Sequence, residues 1–194
     1  MAAQRHVAKD ARYYPTAVAD AVGKSYRFNG CHCRLSIGQD NRKKGAVYGF
    51  DGGKKVKGRK RHIIVDSQGF LLGVLVTEAN ASERLGAIVV LDEAKENLSN
   101  LEVIWVDQGY SGKKFAQAVQ QVCGETVRVE VIERTTATFE RLPKRWIVER
   151  TFGWLNRFRR FSKDYETYSE VSEAMIYGSL LRLMVRRLAA LDSL

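Results

Sequence analysis

The 194 residues are enough for one domain with a real core and too few for two comfortable ones. A net charge of +10 and a pI near 9.6 favour a polyanionic partner, nucleic acid before others. Cys31, Cys33 and Cys123 give neither a disulfide framework nor a zinc-ligand spacing, and no run of about 18 apolar residues marks a membrane span or export core, so a reduced, cytoplasmic setting is expected.

Residues 1–42 show no sustained period of 2 or 3.6, and no strand is expected there. From about Gly45 each stretch carries the signals of a definite element. Arg61–Val65 and Phe70–Thr77 read as a hairpin around Asp66-Ser67-Gln68-Gly69. Ala81–Asn97 reads as a helix, with Leu85, Ile88, Val89 and Leu91 set among charges. Leu101–Val106 is a buried-type strand that stops at Asp107-Gln108-Gly109-Tyr110. Ser111 is expected to cap a helix running to about Val122, with Phe115, Ala118, Val119 and Val122 on one face. Val127, Val129 and Val131 alternate with Arg128 and Glu130 as a half-exposed strand. Pro143 precedes a helix placed at Lys144–Arg160. A last helix runs from Ser169 or Val171 to Leu188, its core stripe drawn from Ala174, Met175, Leu180, Leu181 and Met184. This order implies an α/β fold with a mixed sheet.

Two carboxylates stand out. Asp107 follows an apolar strand, at the end of an α/β sheet where ligands gather, although turn or cap duty is the commoner fate of such a residue. Glu149 lies within the apolar and aromatic run Trp146–Phe152, with Arg145 before it and Asn156 and Arg157 after it on or beside its helical face. An ordinary surface Glu–Arg pair is the plain alternative. In a basic chain the two acids suggest Mg²⁺ and phosphate chemistry, because hard dications take carboxylate oxygens and complete their shell from phosphate. Such a site normally needs three acids. Six of the eight residues from Lys54 to Arg61 are basic (Lys54, Lys55, Lys57, Arg59, Lys60 and Arg61), and phosphate contact is expected of them. A second cluster, Arg157, Arg159, Arg160 and Lys163, is interleaved with Phe158 and Phe161; base stacking and burial of the two rings both stay open.

The segments Tyr48–His62, Trp105–Tyr110 and Arg145–Leu155 resemble, in order and separation, the catalytic domain of insertion-sequence transposases in the five-like group of the DDE superfamily. The resemblance covers about Lys43 to Ala190. It implies an RNase H-like mixed sheet flanked by helices, metal-dependent DNA cleavage and strand transfer, two Mg²⁺ ions (or Mn²⁺), double-stranded element-end and target DNA, and a homo-oligomer on that DNA. It carries the family's second Asp onto Asp107 and its Glu onto Glu149, as catalytic and metal-binding residues. The signature Arg falls at Arg145, and Asn156 stands where a Lys is expected, with Arg157 beside it as a substitute. Arg145, Arg157 and Arg160 join Lys54–Arg61 as expected DNA contacts.

Relatives carry a first Asp on the opening central strand, in a pattern like IVDSQSVKTT. Phe28–Arg42 lacks it, and its one acid, Asp40, sits in a context unlike a strand. Suitable synonymous codons for these fifteen residues, read one base later, spell SMAAIVDSQSVKTT and then Ala. Residues 1–42 are accordingly expected to be translated out of frame or poorly ordered, and residues 43–194 to form the catalytic domain. The opening strand is expected to be missing or replaced, and activity impaired. Asp66 and Asp51 are weighed as substitute ligands, and neither is adopted. The competing reading is a non-catalytic DNA-binding remnant or a repressor of the intact transposase.

Overall fold

A computed structural model of the chain describes residues 30–39, 47–132, 143–161 and 163–191. Among them are six strands: β1 (Gly30–Gln39), β2 (Gly49–Asp51), β3 (Val56–Asp66), β4 (Leu71–Glu78), β5 (Val103–Val106) and β6 (Arg128–Val131). Four α-helices accompany them: α1 (Glu83–Ala94), α2 (Lys113–Cys123), α3 (Pro143–Asn156) and α4 (Ser169–Leu191). The strands form one sheet in which β4 and the short β2 pair with β3, followed by β1, β5 and β6. β3 is antiparallel to β1, β2 and β4, whereas β1, β5 and β6 run parallel. Antiparallel strands continued by two parallel ones make up the RNase H-like sheet.

The opening strand is present, contrary to the expectation of its loss. β1 pairs with β3 from Cys31↔Asp66 to Gln39↔Gly58, and with β5 from Gly30↔Val103 to His32↔Trp105. Its pattern is period 2 after all: Cys31, Cys33, Leu35 and Ile37 alternate with His32, Arg34, Ser36 and Gly38. Two cysteines stand where valines would have announced a strand. Backbone groups make the ladder, so it forms with unusual side chains. The strand contains no acid. The rest of 1–42, Asp40 included, lies outside the described residues.

β3 is covered on both faces. Ile64 joins Ala87, Val90 and Leu91 of α1, Ile104 and Val106 of β5, and Phe115 and Val119 of α2 in one core cluster. Ile63 and Val65 join Leu71, Val74 and Val76 of β4, Val148 and Leu155 of α3, and Ile176 and Leu180 of α4 in another. The strand starts five residues earlier than expected because its basic residues also alternate between these faces.

Helix α1 buries Gly86, Ala87, Val90, Leu91 and Ala94, leaving Leu85 and Val89 exposed. Small residues are needed on that face because a β-carbon at Gly86 would lie 2.2 Å from Cε1 of the fully buried His62. Burial holds the His62 imidazole down to about 4, and its Nε2 meets Thr77 Oγ1 at 2.9 Å. α2 is capped by Gly112 (φ +119), not by Ser111. α3 ends at Asn156, and a short 3₁₀ turn at Arg159–Phe161 follows. The buried stripe of α4 is Ser172, Ile176, Leu180 and Met184, one residue per turn, while Ala174 faces solvent. Two further residues of α4 meet β4: Glu173 accepts from the Val76 amide at 2.7 Å, and the Tyr177 hydroxyl from the Val74 amide at 3.2 Å. Among the described residues no helix is long and apolar enough to cross a membrane.

Candidate metal centre and nucleic-acid surface

Asp107 immediately follows β5 and keeps extended backbone angles (φ −82°, ψ 174°). Its carboxylate accepts from the Gly109 amide at 3.0 Å and caps the 3₁₀ turn Gln108–Tyr110. Buried Tyr110 anchors that turn on Phe115 of α2, ring centroids 5.5 Å apart. Arg84 donates to the Gly109 carbonyl at 3.0 Å. A β-carbon at Gly109 would stand 3.1 Å from Asp107 Oδ1 and 3.7 Å from Glu83 Oε2, so glycine leaves room between two carboxylates. Glu83 had no signal in the sequence beyond first-turn acidity.

Helix α3 packs on β1 and β3 and turns Val148, Thr151 and Leu155 inward. Glu149 lies on the opposite, exposed stripe with Trp146, Gly153, Asn156 and Arg157. The helix is held in place by the β3–β4 turn. Asp66 builds that turn by accepting from the Gln68 and Phe70 amides, each at 2.8 Å, so the turn role is the one it plays. Its carboxyl is pushed up by burial, against these amides and the nearby Arg150. Thr151 Oγ1 donates to the Gly69 carbonyl at 2.8 Å and Arg150 to the Gln68 carbonyl. The Arg150 guanidinium also lies between the Trp146 and Trp154 rings, 4.7 and 4.9 Å from their centroids. Gly69 (φ +85) admits no side chain here, since a β-carbon would stand 2.9 Å from Thr151 Oγ1. The two residues after Glu149 thus fix its helix to the sheet. Arg145 is on α3, its side chain outside the described residues.

The basic run splits in two. Asp51 accepts from the Gly53 and Lys54 amides at 2.9 and 3.0 Å, building a turn that leaves Lys54, Lys55 and Lys57 exposed. The Lys54 amide bond, outweighing slight desolvation, and the charge of Lys60 hold its carboxyl below the usual range. Arg59, Lys60 and Arg61 are buried, against the expectation that all six cations face phosphate. Arg59 forms a two-pronged ion pair with buried Asp164 and donates to the Glu166 carbonyl. Lys60 donates to the Ala81 carbonyl at 2.8 Å, with Asp51 and Glu83 at 3.7 and 3.9 Å. Arg61 donates to the Phe161 carbonyl at 3.3 Å and lies over that ring. An interior cation needs such partners, and these partners come from remote sequence.

In the second cluster Phe161 is buried and meets half-buried Phe158 edge to face at 6.0 Å, which commits the rings to packing. Arg157 and Lys163 are exposed, and exposed Arg160 pairs with Glu166 at 2.6 Å. No group of three His, Cys, Asp or Glu side chains among the described residues converges as a metal site. With β1 lacking any acid, the donor set does not fit the paired Mg²⁺ ions that the resemblance implies.

The strand order defines an RNase H-like α/β domain, with one carboxylate just past a parallel strand and another on the covering helix. The transposase DDE domain family matches residues 18–184, and the chain belongs to that family. The match takes in β1. The chain is 29% identical over 134 residues to the putative transposase for insertion sequence element IS402 of Burkholderia cepacia. That alignment covers 65% of this chain, which spans 60% of the relative's length. Among solved structures, the HTLV-2 integrase catalytic core domain in complex with magnesium (dimeric form) superposes with a TM-score of 0.43 and 16% identity. It covers 80% of this chain and 86% of that one. The simian T-cell lymphotropic virus intasome in complex with PP2A regulatory subunit B56 gamma gives 0.43 and 13%, over 78% and 47%.

Proposed function

We propose that this chain is an insertion-sequence transposase whose hold on DNA outlasts its chemistry. It grips double-stranded element-end and target DNA through Lys54, Lys55 and Lys57, with Arg157 and Arg145 on α3 extending the contact, and a second copy on the other end completes the assembly. Arg160 contributes where it exchanges Glu166 for phosphate. Arg59, Lys60 and Arg61 support this surface from inside. The observation that carries the reading is a family match across the whole sheet combined with a central strand devoid of acid.

Cleavage and strand transfer in this family would draw on divalent cations at a carboxylate triad, and Asp107 and Glu149 are the two members this chain retains. Two carboxylates hold a dication more weakly and place it less well than three, so cleavage is weak or absent. The same deficit favours the second reading, a DNA-binding remnant that occupies element ends and represses the intact enzyme. Fluorescence anisotropy with duplex element-end DNA tests binding, with nanomolar to micromolar affinity at low salt as the expected result. Magnesium-dependent nicking of that DNA by the purified chain, abolished by Glu149→Gln, would overturn the impaired reading. If Glu149→Gln changes nothing at all, the binding module stands.

A further inference from the structure

Resting on the transposase reading, we propose that position 34 is where this chain's metal centre is broken, with Arg34 occupying the place of a third carboxylate. β1 lies beside β5, which Asp107 follows, and α3, which carries Glu149, packs on it. On one side it runs parallel to β5, in a register that places His32 beside Trp105. The ladder ends there, and the same one-to-one register carried two residues further brings Arg34 level with Asp107. On its other side Arg34 pairs with Ile63, which shares a core cluster with Val148, the residue preceding Glu149. Helix α3 itself packs on β1. The backbone thus puts position 34 level with Asp107 and beneath α3, whose Glu149 lies on the stripe turned away from the sheet.

A second observation meets the first. When SMAAIVDSQSVKTT is laid on the chain from Phe28, its Asp falls on Arg34. The register selects this residue among the ten of β1, and the motif that the resemblance implies falls in step with it.

Arginine at this position does more than remove a ligand. A guanidinium has no acceptor lone pair to offer a cation, and it stays charged at every working pH. At this position arginine therefore offers no donor and carries a charge of the cation's own sign, where aspartate would offer a carboxylate. Arg34→Asp reverses both effects.

The test uses the full chain and Mn²⁺ alone, without DNA, read by calorimetric titration and by melting temperature in Mn²⁺ against EDTA. Arg34→Asp is expected to bind Mn²⁺ at least about tenfold more tightly than the unaltered chain, the scale on which even supporting residues move metal affinity. Adding Asp107→Asn is expected to remove the gain, and Arg34→Ala, which only deletes the charge, to fall well short of it. A folded Arg34→Asp chain that binds no better than Arg34→Ala overturns the proposal. So does an unaltered chain that already binds Mn²⁺ tightly through Asp107. Should Arg34→Asp not fold, Arg34→Asn offers an amide oxygen without a new charge and carries the same expectation at a smaller gain, with the same overturning result. Anisotropy with DNA in EDTA keeps the two readings apart: loss of DNA binding with the Mn²⁺ gain intact removes the transposase reading alone.

Discussion

Lys54–Lys57 and Arg59–Arg61 are neighbours of similar composition with opposite fates: one half lies in solvent, the other inside. The difference is made by where the chain enters the sheet. Asp51 builds a turn that holds the first half away from the core. Past Val56 the backbone becomes a strand covered on both sides, and each residue is committed to a face. Arg59 and Arg61 go to the side of Asp164 and Phe161, Lys60 to the side where α1 begins. Density of charge along a sequence therefore does not locate a binding surface; a doubly covered strand takes up cations wherever remote carbonyls and carboxylates meet them.

The contrast can be broken experimentally, and the largest effect should come from the buried half. Arg59→Ala leaves Asp164 buried without its partner and should cost about 3–5 kcal/mol in urea unfolding. A loss below about 1 kcal/mol would dissolve the distinction between the halves. Gly86→Ala drives a methyl group into the His62 ring and should cost about 3 kcal/mol, less on a His62→Ala background.

Glu173 sharpens the comparison through pH. Burial first, then the charges of Glu93 and Glu170, raise its carboxyl to about 7, against the Val76 amide bond and the attraction of Arg59. A folded state that holds this proton more tightly than the unfolded chain is most stable below about 4.5 and loses that increment as pH rises through about 7. Glu173→Gln keeps an acceptor without the charge, so it should gain on the order of 2 kcal/mol at pH 8 and almost nothing at pH 4. Melting at the two pH values measures this, and an equal effect at both would contradict it. The smallest change in stability belongs to the exposed half. Lys54→Ala, Lys55→Ala and Lys57→Ala together should leave the urea midpoint unmoved. They should instead flatten the salt dependence of DNA affinity by about 0.9 in log–log slope for each phosphate no longer neutralised.

Much of the fold is legible in the sequence. Apolar period and turn chemistry specify the β3–β4 hairpin, β5, β6 and the order of the helices, because those signals are local. Asp107 and Asp66 stand out at strand ends for the same reason. The buried fate of Arg59 is not legible, since its partner lies 105 residues away. The face of α1 misleads because Leu85 and Val89 look like core, while the close approach to His62 selects Gly86. β1 is the avoidable miss. Its alternation is present in Cys31, Cys33, Leu35 and Ile37, hidden by a composition that does not resemble a strand.

Glu173 and Tyr177 have one more consequence. β4 lies at the margin of the sheet, and a margin with unoccupied amides invites a foreign strand to add to it. At Val74 and Val76 those amides already donate to α4. Strand addition is thus blocked at Val74 and Val76, and a second copy of this chain would have to associate by another surface or first peel away α4.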